Sequence, residues 1–360
     1  MRADLAAEAL AEPPGIRRWS AAEWDTCVLQ ARRSGLLGRL AARIDALELW
    51  PAVPPAPASH LKAALVLADA QRRDVLHEVR RVGEALAAVG VEAVLLKGAA
   101  YVAAGHAAAT GRLFTDIDIL VPKPALPAVE ASLMQHGWAT THHSPYDQRY
   151  YREWMHELPP MRHVRRGTVL DVHHAILPET ARLHPDSRLL LEAARPVIGE
   201  PGLRVLSPPD MVLHSMTHLF HNEEMSRGLR DLSDIDLLLR EFAGAPAFWD
   251  DLSQRAGRLG LTRPLYYGLR YSRRLLGTPV PASVLAGLQP AAPAAPWLQD
   301  WLWQRGMCSW HPSAGGTSAT LARAGLYLRA HWLRMPPGLL LRHLTTKALL
   351  RPQSDAATAR

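Results

Sequence analysis

The run Asp116-Ile117-Asp118-Ile119-Leu120-Val121, closed by Pro122, alternates acidic and apolar residues. Residues two apart on a strand share a face, so the pattern predicts a strand with one polar face from which both carboxylates project together. Like charges that close persist in a fold only where a cation or a proton relieves them. A divalent metal with oxygen ligands is the usual relief, and Mg²⁺ typically takes one or two carboxylates plus substrate phosphates. An isolated Asp-x-Asp is most often a solvated strand edge, so the surroundings decide.

Upstream, Val91-Glu92-Ala93-Val94-Leu95-Leu96 is short and apolar and predicts a buried strand. It runs into Lys97-Gly98-Ala99, which opens an alanine-rich helix reaching Ala109. A glycine at such a turn lets phosphate approach the backbone, and a helix N-terminus offers free N–H donors and positive potential. Downstream, a helix over Leu126–His136 ends at Gly137, and Trp138–His143 forms a further strand. Met161–Val164 and Thr168–His174 read as two strands joined by the turn Arg165-Arg166-Gly167. Asp171 lies on the second of these. A third carboxylate from a neighbouring strand completes a two-metal clamp and is placed to deprotonate an attacking hydroxyl.

Helical sequence flanks this centre. Ala21–Leu49 carries apolar residues at helical spacing, ended by the prolines of 51–57, and Ser59 is a cap for a second long helix that stops at Gly90. Helical periodicity returns over Asp210–His221 and Leu229–Phe242 and continues to about Leu350, with Pro290–Pro296 as a linker. The expected division is a helical region at 1–84, an α/β core at 85–205 and a second helical region at 206–360. No internal repeat is visible.

The 360 residues are 48% hydrophobic and 21% charged, which excludes wholesale disorder. Two cysteines, Cys27 and Cys308, exclude a disulfide framework or a cysteine-based zinc cluster. No apolar stretch approaches the ~20 residues of a membrane span, and Glu8 and Glu12 interrupt any signal-peptide pattern, so a cytoplasmic location is expected. The net charge of +7 fits a phosphate-bearing ligand or simple arginine richness better than a nucleic-acid surface, because the arginines are spread and no RNA-binding aromatic signature accompanies them.

Leu95-Leu96-Lys97-Gly98, Arg112 ahead of Asp116-Ile117-Asp118, and Leu170-Asp171-Val172-His173 together resemble the bacterial "uncharacterised nucleotidyltransferase" family of the DNA polymerase β-like superfamily. Leu213–His221 and Leu229-Arg230-Asp231-Leu232 are similar to that family's C-terminal region. The resemblance spans roughly residues 60–245. It implies an α+β fold, a minimal nucleotidyltransferase core of mixed sheet and helices flanked by N- and C-terminal helical regions. It also implies Mg²⁺ at a two-metal site held by Asp116, Asp118 and Asp171, with Asp171 as base, and a nucleoside triphosphate, ATP foremost, as substrate. Gly98 and Ala99 would cradle its phosphates. The turn departs from the superfamily in offering no hydroxyl; Lys97 either substitutes as a phosphate contact or pairs with Asp116 or Asp118. Arg112 is a triphosphate contact or an ordinary surface arginine.

The implied reaction is attack of an unidentified hydroxyl acceptor (small molecule, peptide or protein) on the α-phosphate, with release of pyrophosphate. The alternatives are a catalytically silent nucleotide- or partner-binding regulatory module and an RNA-directed nucleotidyltransferase. Among other residues, His173 shares the strand face of Asp171 and either touches nucleotide or acceptor or, the preferred role, hydrogen-bonds the aspartate. His214, His218 and His221 fall on one helical face, where packing or substrate contact is preferred to zinc. His142-His143 has no identifiable partner. Asp234 sits four residues after Arg230, the spacing of a solvated ion pair. The basic stretch Leu321–Arg351 is read as part of a packing helix pair rather than a membrane-surface segment.

Overall fold

In a computed structural model, residues 4–141, 144–336 and 338 are described. The chain opens with α1 (Leu5–Ala11), α2 (Ala21–Arg33), α3 (Leu37–Ala46) and the long α4 (Pro55–Ala87). The continuous periodicity of Ala21–Leu49 is divided into two helices, because Gly35 adopts a left-handed φ of 68° and turns the chain between them. Ser59 does not cap α4. The helix starts at Pro55, where a fixed φ suits a first turn whose N–H groups lack helical partners, and the Ser59 hydroxyl donates back to the Ala56 carbonyl.

The centre follows as β1 (Ala93–Leu96), α5 (Lys97–Ala104), β2 (Ile117–Leu120), α6 (Leu126–Gln135), β3 (Trp138–Thr140) and α7 (Pro145–Trp154). It continues as β4 (Met161–His163), β5 (Val169–His173), α8 (Ser187–Ala193), β6 (Arg195–Pro196) and β7 (Leu203–Val205). The C-terminal helices are α9 (Pro208–His221), α10 (Gly228–Phe242), α11 (Phe248–Arg258) and α12 (Thr262–Leu276). They end with α13 (Ala282–Gly287), α14 (Pro296–Gly306) and α15 (Pro312–Arg334), the last two packed together as a pair. His142 and His143, and the part of the basic stretch beyond 338, lie outside the described residues.

The described strands form one seven-stranded mixed sheet in the order β3-β4-β5-β2-β1-β7-β6. β2 pairs antiparallel with β1 and parallel with β5, so the two acidic strands are immediate neighbours. The sheet and its helical flanks make the expected α+β architecture. All four β2 residues are buried, because helices from both ends of the chain enclose the sheet. Buried apolar residues from Leu5 to Leu326 belong to one continuous core, so the helical regions and the α/β centre share it.

Candidate active site

The register between β2 and β5 sets Asp118 opposite Asp171 and Leu120 opposite His173. Partners across adjacent strands share a face, so two acids and a histidine from distant segments line one stripe of the sheet. Asp116 lies just before β2 in the same alternation and is half-buried. The predicted convergence of strand carboxylates is thus realised for Asp118 and Asp171, with Asp116 at the margin.

No loop separates β1 from α5. The chain turns at Lys97, whose φ of 45° makes it one of two non-glycine residues with left-handed backbone among those described. Such a conformation costs about 1–3 kcal/mol and is retained where neighbouring structure enforces it. Here the turn delivers the Lys97 ammonium to Asp118 Oδ1 at 2.7 Å, and Asp118 also accepts from His173 Nε2 at 3.0 Å. Of the two roles open to Lys97, pairing with Asp118 is the one observed. His173 bonds an aspartate as expected, but the partner is Asp118 across the ladder rather than Asp171 on its own strand.

Burial opposes the charge on Asp118, yet the Lys97 ammonium and the His173 hydrogen bond outweigh it and hold the carboxyl well below the usual range. Asp171 has the opposite environment. Burial, then the charge of Asp118, pushes it up to about 7, and its Oδ1 is buried with no hydrogen-bond partner. An all-oxygen donor set with one orphaned carboxylate oxygen and like-charge crowding fits a hard divalent cation such as Mg²⁺. Asp118, Asp171 and Asp116 are the residues that would hold it.

Beside this stripe opens a cleft of about 370 Å³, its wall formed by Lys97, Arg112 and Asp116 on one side and by α9, α10 and their connection on the other. Arg112 is neither a surface arginine nor a free cation. It is buried, and its Nε donates to Asp234 Oδ2 at 2.9 Å, while Arg39 on α3 donates to Asp234 Oδ1 at 2.5 Å. The solvated Arg230–Asp234 pair does not form, because Arg230 bonds the adjacent Asp231. Two guanidinium groups claim Asp234 instead.

Arg112 explains Gly98. A Cβ at Gly98 would collide with Arg112 Nη1 and with the Phe114 ring, 2.7 Å away. The missing side chain therefore makes room for the arginine over the first turn of α5. Gly98 and Ala99 do occupy that turn, where N–H groups lack helical acceptors.

His218 lines the cleft, whereas His214 and His221 are buried and His221 Nδ1 lies 3.0 Å from the Thr217 carbonyl. Burial, then the nearby Lys97, pushes His214 down to about 3. The three do not converge as a metal group among the described residues. The residues that do are His156, Glu157 and His173. No sequence spacing pointed to them, since Glu157 reaches His173 through an isolated backbone bridge between segments 16 residues apart in number.

Residues 20–277 match the protein family described as uncharacterised nucleotidyltransferase. No curated protein and no solved structure matches the chain. Lys97, the three aspartates, Arg112 and both walls of the cleft fall inside the matched span. No helix among the described residues is long and apolar enough to cross a membrane.

Proposed function

The chain belongs to the uncharacterised nucleotidyltransferase family, and we propose that it transfers a nucleoside monophosphate from a Mg²⁺-bound nucleoside triphosphate, ATP foremost, to a hydroxyl acceptor. The observation that carries this reading is the pairing of Asp118 with Asp171 across β2 and β5 beside the Lys97 turn. Asp116, Asp118 and Asp171 hold the metal, which when bound neutralises charge on the reacting phosphate. Phosphoryl chemistry asks little more of a protein than positioning and charge compensation.

In this reading the triphosphate lies along the cleft. Lys97 keeps Asp118 ionised and turns its remaining ammonium protons to phosphate. Arg112, fixed through Nε on Asp234, presents its outer nitrogens, and the Gly98 and Ala99 N–H groups face the same anion. His173 fixes the Asp118 carboxylate through Nε2. Asp171 takes the acceptor's proton as the acceptor oxygen bonds to the α-phosphorus and the α–β bridging P–O bond breaks. Pyrophosphate leaves.

The test uses α-labelled ATP, Mg²⁺ and a small-molecule extract as the source of acceptor. Label transfer with pyrophosphate release is expected from the wild type, with a loss of at least about 10³-fold in Asp118→Ala. Equal turnover by that variant refutes the assignment. A second reading, a nucleotide-binding module without turnover, draws on the Lys97 ammonium already neutralising Asp118. Calorimetric binding of Mg·ATP with no label transfer would identify it.

A further inference from the structure

We propose that His156, Glu157 and His173 form a separate site for a borderline divalent transition ion such as Zn²⁺. One ligand atom from each lies within 4.8 Å of the others. Ligands on a tetrahedral zinc at bond lengths of about 2.0–2.1 Å sit roughly 3.3 Å apart, and His173 Nδ1 lies 3.1 Å from Glu157 Oε2. Two imidazoles and one carboxylate suit zinc and leave a fourth position open, whereas the neighbouring aspartates offer oxygen only.

His173 is held from both sides, its Nε2 3.0 Å from Asp118 Oδ1 and its Nδ1 3.1 Å from Glu157 Oε2. An ion on Nδ1 and Glu157 leaves Nε2 facing Asp118 in the carboxylate–histidine–metal arrangement. The third donor is ready: His156 Nδ1 is buried and has no hydrogen-bond partner, and the His156 and His173 rings stand 5.2 Å apart.

The backbone holds these groups in place. Glu157 bridges His173, the His174 N–H donates to the His156 carbonyl at 2.8 Å, and the Leu158 N–H donates to Val172 at 2.9 Å. Glu157 also lines a second cleft of about 230 Å³, beside α6 and α7 and distinct from the first. An ion there locks the His173 tautomer and thereby aims a hydrogen bond at Asp118. The site does not depend on the nucleotidyl-transfer reading.

Full-length protein stripped with chelator and titrated with Zn²⁺ in a calorimeter tests the proposal. One tight equivalent is expected, weakened at least about 100-fold in His156→Ala and in Glu157→Gln, and about 10–100-fold in Asp118→Ala, which removes the partner behind His173. His77→Ala, an exposed position on α4, retains the wild-type affinity, and circular dichroism shows each variant folded. Co²⁺ in place of Zn²⁺ gives visible absorption bands that His156→Ala loses. Absence of a tight equivalent, or unchanged affinity in both ligand variants, overturns the site and leaves His173 as an imidazolium clamped between two carboxylates. Label transfer from ATP with Mg²⁺ alone, by protein that takes up no Zn²⁺, removes this site and spares the nucleotidyl-transfer reading.

Discussion

Asp171 shows what the site costs the fold. Its pKa is about 7 against an ordinary 3.8, so between those values the folded chain holds a proton that the unfolded chain has released. Stability therefore falls as pH rises from about 4 to about 7. Asp171→Asn removes the charge that burial and Asp118 oppose. At pH 8 it is expected to be more stable than the wild type, on the order of 2–4 kcal/mol, to lose that advantage at pH 4, and to transfer no nucleotide. Denaturant melts at the two pH values check this, and equal stability at pH 8 contradicts it. At this scale the sequence was informative about the acids, because strand periodicity alone puts Asp116, Asp118 and Asp171 on polar faces. It singled out Arg112 but not its partner, since Asp234 lies 122 positions away. The i, i+4 spacing from Arg230 pointed Asp234 the wrong way.

Among the elements, the β1–α5 junction matters most. Its strand and helix were legible from an apolar run followed by alanines, but the role of Gly98 was not, since only the folded chain brings Arg112 and Phe114 over it. Gly98→Ala is expected to displace Arg112, lower stability by about 1–3 kcal/mol and weaken Mg·ATP binding. Unchanged calorimetric affinity would return Gly98 to an ordinary helix position. The division between α2 and α3 was missed because hydrophobic spacing continues through Gly35. The close approach of α3 to the segment before β2 was equally hidden: a Cβ on Gly111, at φ 68°, would collide with the Gly38 carbonyl. Gly111→Ala combines a backbone clash with an unfavourable φ, and a loss of more than about 2 kcal/mol is expected in thermal or denaturant melts. α7, β6 and β7 had no clear sequence signal, being a polar helix and strands of two and three residues.

For the whole molecule, the helices at both ends of the chain build the site as well as enclose it. Arg39 comes from the N-terminal helices, Arg112 from the centre and Asp234 from the C-terminal helices, and they meet in one buried cluster. Asp234→Ala strands two buried guanidinium groups and is expected to cost roughly 3–5 kcal/mol, read as a shift of the denaturation midpoint. A change under 1 kcal/mol would mean the three regions are not joined there. Sequence gave the order helices, α/β, helices; it carried no mark of this junction, which depends on charges that only folding brings together.

The proposal that Asp116, Asp118 and Asp171 converge on phosphate-bearing cations is open to one decisive titration. Mn²⁺, as a paramagnetic stand-in for Mg²⁺, is counted on the protein with and without an ATP analogue carrying a methylene between the α- and β-phosphates. The expected result is two nucleotide-dependent ions per chain in the wild type, with at least one lost in Asp118→Asn and in Asp171→Asn. Nucleotide binding indifferent to chelator, or full ion occupancy in the Asp171→Asn protein, would contradict it.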